Sequence, residues 1–159
     1  MIPAFIALGP LYLMMTNLGL TNSRIGLSLV YVAVCIPFST IMLRGFFANI
    51  PDALEEAAMI DGCSRLEALF RVIVPVLMPG IIATFIFNFV NSWNELFLSV
   101  TLLHSGDKIT IPAALNSFIS GFNIEWGPLA AAAVLTILPM FALASRWIIQ
   151  GLTAGAVKG

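Results

Sequence analysis

Two runs of this chain, Ile25 to Leu43 and Gly127 to Ser145, contain no charged side chain, and a third apolar run opens at Val72 and continues past Val90 toward Leu103. About 20 mostly apolar residues suffice for a helix to cross a hydrocarbon core of roughly 30 Å. All three runs qualify, and Met1 to Leu18 makes a fourth that begins at the first residue without a polar flank. It lacks the basic start and small-residue cleavage site of a signal peptide, and Pro3 and Pro10 interrupt it. Hydrophobic residues make up 60% of the 159 positions and charged ones 9%, against about 50% and 25% in soluble domains. A soluble fold of this size could not hide so much apolar surface, so the expected solvent is lipid. The expected fold is an all-α integral membrane protein, a single domain with four transmembrane helices at about 2–18, 25–47, 74–103 and 127–149.

Charge sets the expected orientation. Arg44, Arg65, Arg71, Arg146 and Lys158 fall on one side of a four-helix threading, and Arg24 and Lys108 on the other. By the positive-inside rule the first group is cytoplasmic, which puts both termini of this chain on that side. A formal net charge of −1 gives no reason to expect a nucleic-acid partner. Cys35 lies in a span and Cys63 in a polar loop, so neither a disulfide nor a metal site is expected, and no cofactor is indicated.

Between the second and third spans lies a segment of opposite character. Residues 52–71 hold five of the chain's eight acids, Asp52, Glu55, Glu56, Asp61 and Glu67, with two arginines, a net of −3. Asp52 followed by Glu55 reads as a capping box that opens a short helix, and Gly62 can supply the left-handed residue that ends it. Ser64-Arg65-Leu66-Glu67 reads as a second capping box. Leu66, Leu69, Phe70 and Ile73 then fall at helical spacing on one face, and the helix enters the membrane near Pro75.

The third span carries Asn88, Asn91, Asn94 and Glu95, three or four residues apart and so on one stripe. Amide and ionisable groups at membrane depth either bond helices together or line a water-filled path, and both readings stay open. Pro37 in the second span is a packing kink or a gating hinge. The outer loop, about 104–126, predicts a short helix from Pro112 to Ile119, with Leu115, Phe118, Ile119 and Phe122 as its apolar edge and Gly121 as its end. Such an edge can lie on lipid, pack on neighbouring helices or touch an external protein. His104 has no companions for a metal or catalytic site. Ala130 to Ala133 permit close helix approach, and Arg146-Trp147 is an interfacial anchor. The glycine-rich tail 151–159 is expected to be disordered or held by a partner.

Three uses of the acidic segment compete. As an amphipathic connector it has the wrong charge, because the cytoplasmic leaflet is negative. As a catalytic acid cluster it lacks a histidine, metal ligands or a nucleophile on its side. As a docking element it is well equipped: Ala57 and Ala58 give a smooth edge that a partner's backbone can approach, and Glu55, Glu56 and Asp61 offer carboxylates to its arginines.

Glu56-Ala57-Ala58, then Gly62 after three residues, then Val72-Ile73-Val74-Pro75 after nine more, resembles the EAA motif of the permease subunits of bacterial ABC importers. Val72 and Val74 stand where that pattern has Ile and Leu. Ser92-Trp93-Asn94-Glu95 and the ending Gly151 to Gly159 resemble the carbohydrate-importing branch, the maltose-type second permease subunits in particular. The resemblance implies a MetI-like fold and a plasma (inner) membrane location. It also implies a cytoplasmic coupling element, residues 52–71, seated in a cleft of an ATPase subunit whose closure on ATP rocks the permease between inward- and outward-facing states. Glu55, Glu56, Ala57, Ala58, Asp61 and Gly62 would be the docking residues.

The chain has no Gly-x-x-x-x-Gly-Lys-[Ser/Thr] loop, so the ATP site is expected on a separate cytoplasmic dimer and this chain is not expected to be an enzyme. The further partners implied are a related second permease subunit, an extracytoplasmic solute-binding protein facing Leu115, Phe118 and Phe122, and a sugar passing Asn88, Asn91, Asn94 and Glu95. Permeases of this branch usually have six spans. The chain is therefore expected to begin inside the third helix of a longer protein. The rival expectations are a permease for a non-sugar solute, a membrane-embedded enzyme using Asn91, Asn94 and Glu95, and a passive channel subunit.

Overall fold

The computed structural model describes residues 4–121, 123–139 and 141. Its helices in order are α1 (Ala4–Asn17), α2 (Arg24–Phe47), α3 (Asp52–Ile60), α4 (Arg65–Ala68), α5 (Val74–Trp93), α6 (Phe97–Leu102) and α7 (Ile111–Asn116). A strand pair, β1 (Ile119–Ser120) and β2 (Asn123–Ile124), follows, and then α8 (Trp126–Pro139). Among the described residues two helical stretches are long and apolar enough to cross a membrane. These are α2, with 24 residues, and Arg65–Trp93, with 29, or about 36 and 43 Å at 1.5 Å per residue. The first helix has 14 residues, about 21 Å. The remainder of the expected fourth span, with Arg146, Trp147 and the 151–159 tail, lies outside the described residues, as does Phe122.

The longer stretch is not uniformly α-helical. Leu69–Ile73 forms a π-helical turn between α4 and α5. Pro75 explains the position: it has no N–H for the carbonyl one turn back and its ring crowds that carbonyl, so a wider turn just before it relieves the clash. The apolar stripe expected on Leu66, Leu69, Phe70 and Ile73 is accordingly split. The inward side runs through Ala68, Leu69 and Ile73, while Leu66 and Phe70 are exposed by 69% and 67%.

The chain divides into two compact units. In the first, whose described residues are those up to Val34 and those from Val90 to Phe141, Met15, Leu27, Val30, Leu98, Leu102 and Leu103 are buried together, with Leu8, Leu11, Leu20, Tyr31 and Ile109 packed around them. Gly26 lets α2 pass directly against the Leu20 carbonyl, where any side chain would collide with backbone. The turn between α1 and α2 is anchored by Asn22, which adopts a left-handed φ of 50°. Its N–H donates to the Leu102 carbonyl at 2.7 Å. Its side-chain oxygen accepts from the N–H groups of His104 and Ser105, both at 3.1 Å, and its own carbonyl accepts from Lys108 Nζ at 3.0 Å. Arg24 adds a bond to the Asp107 carbonyl.

In the second unit, Cys35–Phe89, the later part of α2 lies along α5. The rings of Phe38 and Phe87 stack with centroids 4.5 Å apart. Asn88 Nδ2 donates to Ser39 Oγ at 2.6 Å, and Gly80 sits directly under the Phe46 ring. Ala58, Ala68, Ile73 and Leu77 are buried where α3 and α4 fold back. Outside these cores the surface is Ile, Leu, Val and Phe, including Ile25, Ile41, Phe85 and Leu135. An apolar exterior of this extent needs lipid or other membrane helices around it.

Gly80→Leu would force its side chain into the Phe46 ring. Overpacking of about 1–3 kcal/mol outweighs the ~1 kcal/mol of helix propensity gained on losing glycine. Thermal unfolding of the purified transporter should show a lower midpoint for Gly80→Leu, with most of the loss recovered when Phe46→Ala is added.

Candidate functional site

The corner between α3 and α4 is built from local backbone chemistry. Pro51, at φ −66° and ψ 135°, is the residue that caps α3, and no side chain bonds to that end. The expected capping box of Asp52 and Glu55 is therefore absent. Asp52 is already the first helical residue, where its charge still favours the positive end of the helix. Glu55 turns to Arg65 instead, with Nε to Oε1 at 2.9 Å.

At the other end of α3 the Gly62 N–H reaches the Met59 carbonyl at 3.1 Å and the Cys63 N–H reaches the Ala58 carbonyl at 3.0 Å. These paired bonds close the helix in a Schellman motif, with Gly62 at φ +89° as the motif requires. A Cβ at Gly62 would meet nothing within 4 Å. The demand for glycine here is conformational, not steric.

The second expected capping box is present in full. Ser64 Oγ accepts from the Glu67 N–H, and the Ser64 N–H donates back to Glu67 Oε2 at 2.9 Å. The Ser64 hydroxyl donates to the same oxygen at 2.8 Å, and Arg71 lies 3.7 Å from the other. The Ser64 N–H, then its hydroxyl, then the Arg71 charge hold the Glu67 carboxyl below the usual carboxylate range. An open recess of about 460 Å³ lies beside the corner, lined by Phe47 and Ile50, the foot of α3, Arg65 and Leu69.

The structure distributes the expected docking residues unevenly. Glu56, Ala57, Asp61 and Gly62 are exposed, Glu55 is half-buried, and Ala58 is buried. The smooth edge expected from Ala57 and Ala58 is thus Ala57 alone, because Ala58 points inward with Leu54, one turn earlier. Ile60, which sequence reasoning passed over, is 86% exposed on the same outward surface. The available signal was its phase: two residues after Ala58, it cannot share the inward face.

The polar residues of the third span are also sorted. The helix does not run on to Leu103; α5 stops at Trp93 and α6 starts at Phe97. Asn88 is tied to Ser39. Glu95 sits in the break, accepting from the N–H groups of Leu98 at 2.8 Å and Ser99 at 3.2 Å and from the Tyr31 hydroxyl at 3.1 Å. Asn94 bonds the Val90 carbonyl through its side chain at 2.8 Å. Asn91 and Asn94 are exposed. The break interrupts the single stripe expected for the four.

In the outer segment the expected helix from Pro112 to Ile119 ends early, at Asn116. Ser117 Oγ bonds the Ala114 carbonyl at 2.6 Å, a local contact that competes with helix continuation. The chain then forms an antiparallel hairpin pairing Ile119 with Ile124 and Ser120 with Asn123. Gly121, expected to end a helix, opens the hairpin turn at φ +50°. This hairpin is a local exception in a chain that is otherwise helical among the described residues, with glycine supplying the positive φ that a tight turn needs. Leu115 and Phe118 are half-buried, so they do not form an exposed apolar edge.

Because space at Gly62 is open, Gly62→Asn should keep the corner and Gly62→Val should lose it, since asparagine tolerates positive φ and β-branched residues do not. Amide exchange at Gly62 and Cys63 reads the difference. The Glu67 shift makes a second prediction. A carboxyl lowered in the folded state stabilises it above the ordinary carboxylate range and stops doing so as pH falls through the lowered value. Protection of the Ser64 amide should be flat near neutrality and drop on acidification, while Glu67→Gln should remove that pH dependence.

Residues 1–150 match the family model described as "Binding-protein-dependent transport system inner membrane component". The chain is 40% identical over 153 residues to the inner membrane ABC transporter permease protein YcjP of Escherichia coli (strain K12), covering 94% of this chain and 55% of that protein. It is 41% identical over 152 residues to the diacetylchitobiose uptake system permease protein DasC of Streptomyces coelicolor, with the same coverage of 94% and 55%. Among solved structures it resembles a bacterial ABC transporter involved in the import of the acidic polysaccharide alginate, with a TM-score of 0.71 and 25% identity, over 89% of this chain and 54% of that one. The chain spans just over half the length of these relatives. It belongs to the family of binding-protein-dependent transport system inner membrane components.

Proposed function

We propose that this chain forms the later part of the permease subunit of an ATP-driven, binding-protein-dependent sugar importer. The α3–α4 corner is its lever. The observation that carries the reading is the corner itself, a polar, doubly capped turn at the junction of the two helical stretches that, among the described residues, are long enough to span a membrane. It presents Glu56, Ala57, Ile60 and Asp61 outward. Small, apolar and acidic groups together suit a cleft with basic walls on a separate ATPase subunit.

In this reading four spans, built on α1, α2, α5 with α6, and α8, thread the inner membrane with the corner and both termini of the chain in the cytoplasm. Closure of a dimer of ATPase subunits pulls the corner. Because α4 continues through the π turn into α5, the pull reaches the span and drives alternating access. The exposed apolar faces pack against lipid and a related second permease subunit. The outer hairpin faces a solute-binding protein, through Ile119 and Ser120 in preference to the half-buried Leu115 and Phe118.

A sugar is favoured as solute because the relatives named above include a diacetylchitobiose permease and an alginate importer. The exposed amides of Asn91 and Asn94 also match hydroxyl groups in donor and acceptor capacity. No chemistry beyond binding is required of this chain.

Cysteine scanning in the complete transporter tests the docking surface. Ala57→Cys and Ile60→Cys should crosslink to the ATPase subunit in a nucleotide-dependent way, and Ala58→Cys should not. Crosslinking at 58 but not 57 would reverse the assigned face, and none at any of the three would remove the lever. Uptake of labelled maltose, trehalose and diacetylchitobiose into proteoliposomes, with and without ATP, screens the solute class.

A further inference from the structure

Glu95 is the one acid of the third span, and the transport reading leaves its task undefined. We propose that Glu95 is a positioning residue: its carboxylate fixes the α5–α6 break, and the break presents Asn91 and Asn94 to a neutral, hydroxyl-bearing solute that Glu95 itself does not touch. The proposal deepens the transport reading and rests on it.

The first N–H groups of a helix have no partner within it. In α6 two of these belong to Leu98 and Ser99, which are 6% and 0% exposed, and water cannot serve them there. Glu95 Oε1 takes the Leu98 N–H at 2.8 Å, and Oε2 takes the Ser99 N–H at 3.2 Å. The Tyr31 hydroxyl donates to Oε2 at 3.1 Å, which fastens the same group to α2. Three donors occupy most of the roughly four acceptor positions of a carboxylate.

Turning Glu95 toward a passing solute would strand two buried N–H groups and release Tyr31. The segment it caps is itself locked in place. Leu98 and Leu102 lie in the core with Met15, Leu27 and Val30, and Ser99 Oγ bonds Thr110 Oγ1 at 2.7 Å. The charge is thereby spent on architecture.

The free polar groups lie on the other side of the break. Asn94 spends its N–H and one amide donor on the Val90 carbonyl, at 3.1 and 2.8 Å, and its side-chain oxygen makes no bond among the described residues. Asn91, one turn earlier, is exposed and makes no side-chain hydrogen bond among the described residues. Amides without a free charge recognise hydroxyls and reject no neutral sugar by electrostatics. A cationic solute would find no carboxylate beside these amides, among the described residues, that is not already engaged.

Two measurements on the complete transporter test this. Hydrogen exchange needs no solute: in Glu95→Ala the Leu98 and Ser99 amides should exchange about tenfold faster or more, as expected when a buried N–H loses its acceptor. Glu95→Gln, which keeps an acceptor oxygen, should protect at least one of them. Unchanged exchange in Glu95→Ala would overturn the clamp.

For the disaccharide that passes the uptake screen, Asn91→Ala and Asn94→Ala should raise KM, and Glu95→Ala, which misplaces both amides, should raise it about tenfold in the same sense. Glu95→Gln should keep KM near that of the unmodified transporter, and Tyr31→Phe, a milder change in case Glu95→Ala misfolds, should raise it in the same sense. Adding Glu95→Ala to the combined Asn91→Ala and Asn94→Ala variant should raise KM little further, because its effect passes through those amides. A fully additive rise would make Glu95 a solute contact and overturn the assignment, and unaltered KM in both asparagine variants would overturn the presentation of those amides. Absence of ATP-dependent uptake by the unmodified transporter would sink the transport reading, while the exchange data still decide the clamp.

Discussion

A helix that stops in or beside hydrocarbon leaves N–H and C=O groups that no water can satisfy, and each such group costs several kcal/mol if left alone. Every interruption described above is met by a side chain or by a compensating backbone turn. Asn22 serves the backbone of Leu102, His104 and Ser105 where α1 turns into α2. Glu95 serves the start of α6. Ser64 and Glu67 serve the start of α4, and the left-handed Gly62 lets the chain close α3 with its own N–H groups. The polar residues of this apolar chain are placed by that constraint before any question of solute or partner arises.

That ordering changes how the acidic residues should be weighed. Glu67 is engaged by Ser64, Glu55 by Arg65 and Glu95 by Leu98, Ser99 and Tyr31. Glu56 and Asp61 are exposed on the outward surface of α3, where no hydrogen bond or ion pair engages them among the described residues. A carboxylate already accepting its bonds is poor material for a docking contact or a pathway. With Asp52, which is exposed and caps nothing, Glu56 and Asp61 are the acids of the 52–71 segment with charge to offer an arginine. The same division separates Asn88, bonded to Ser39, from Asn91.

The corner was legible because its signals are local. Pro51, Gly62 and the Ser64 to Glu67 spacing each act within a few residues, and among these capping signals the pairing of Asp52 with Glu55 was misplaced, since the proline before them had already taken the cap position. The break in the third span was not legible. Asn94 and Glu95 fit a continuous helical stripe equally well, and what distinguishes them is Tyr31, 64 residues away. The π turn was hidden because Pro75 signals disturbance without specifying its form. The inward placement of Ala58 depends on where α3 meets the π turn, which periodicity over nine residues could not decide; with Ala58 placed, helical phase alone turns Ile60 outward.

The rigidity of the α3–α4 corner, which the proposed lever would need, does not come from its ion pairs. Arg65 and Glu55 have side chains 83% and 38% exposed, and Arg71 and Glu67 71% and 47%. Exposed pairs contribute about 0–1 kcal/mol and weaken with salt. The persistent terms are the buried Ala58, Ala68 and Ile73, the Schellman closure and the capping box, none of which depends strongly on ionic strength. A corner held this way keeps its shape when its surface charges are neutralised by a partner. In the proposed docking, charge would then be free to act in recognition while backbone geometry would carry the load from α3 into α5.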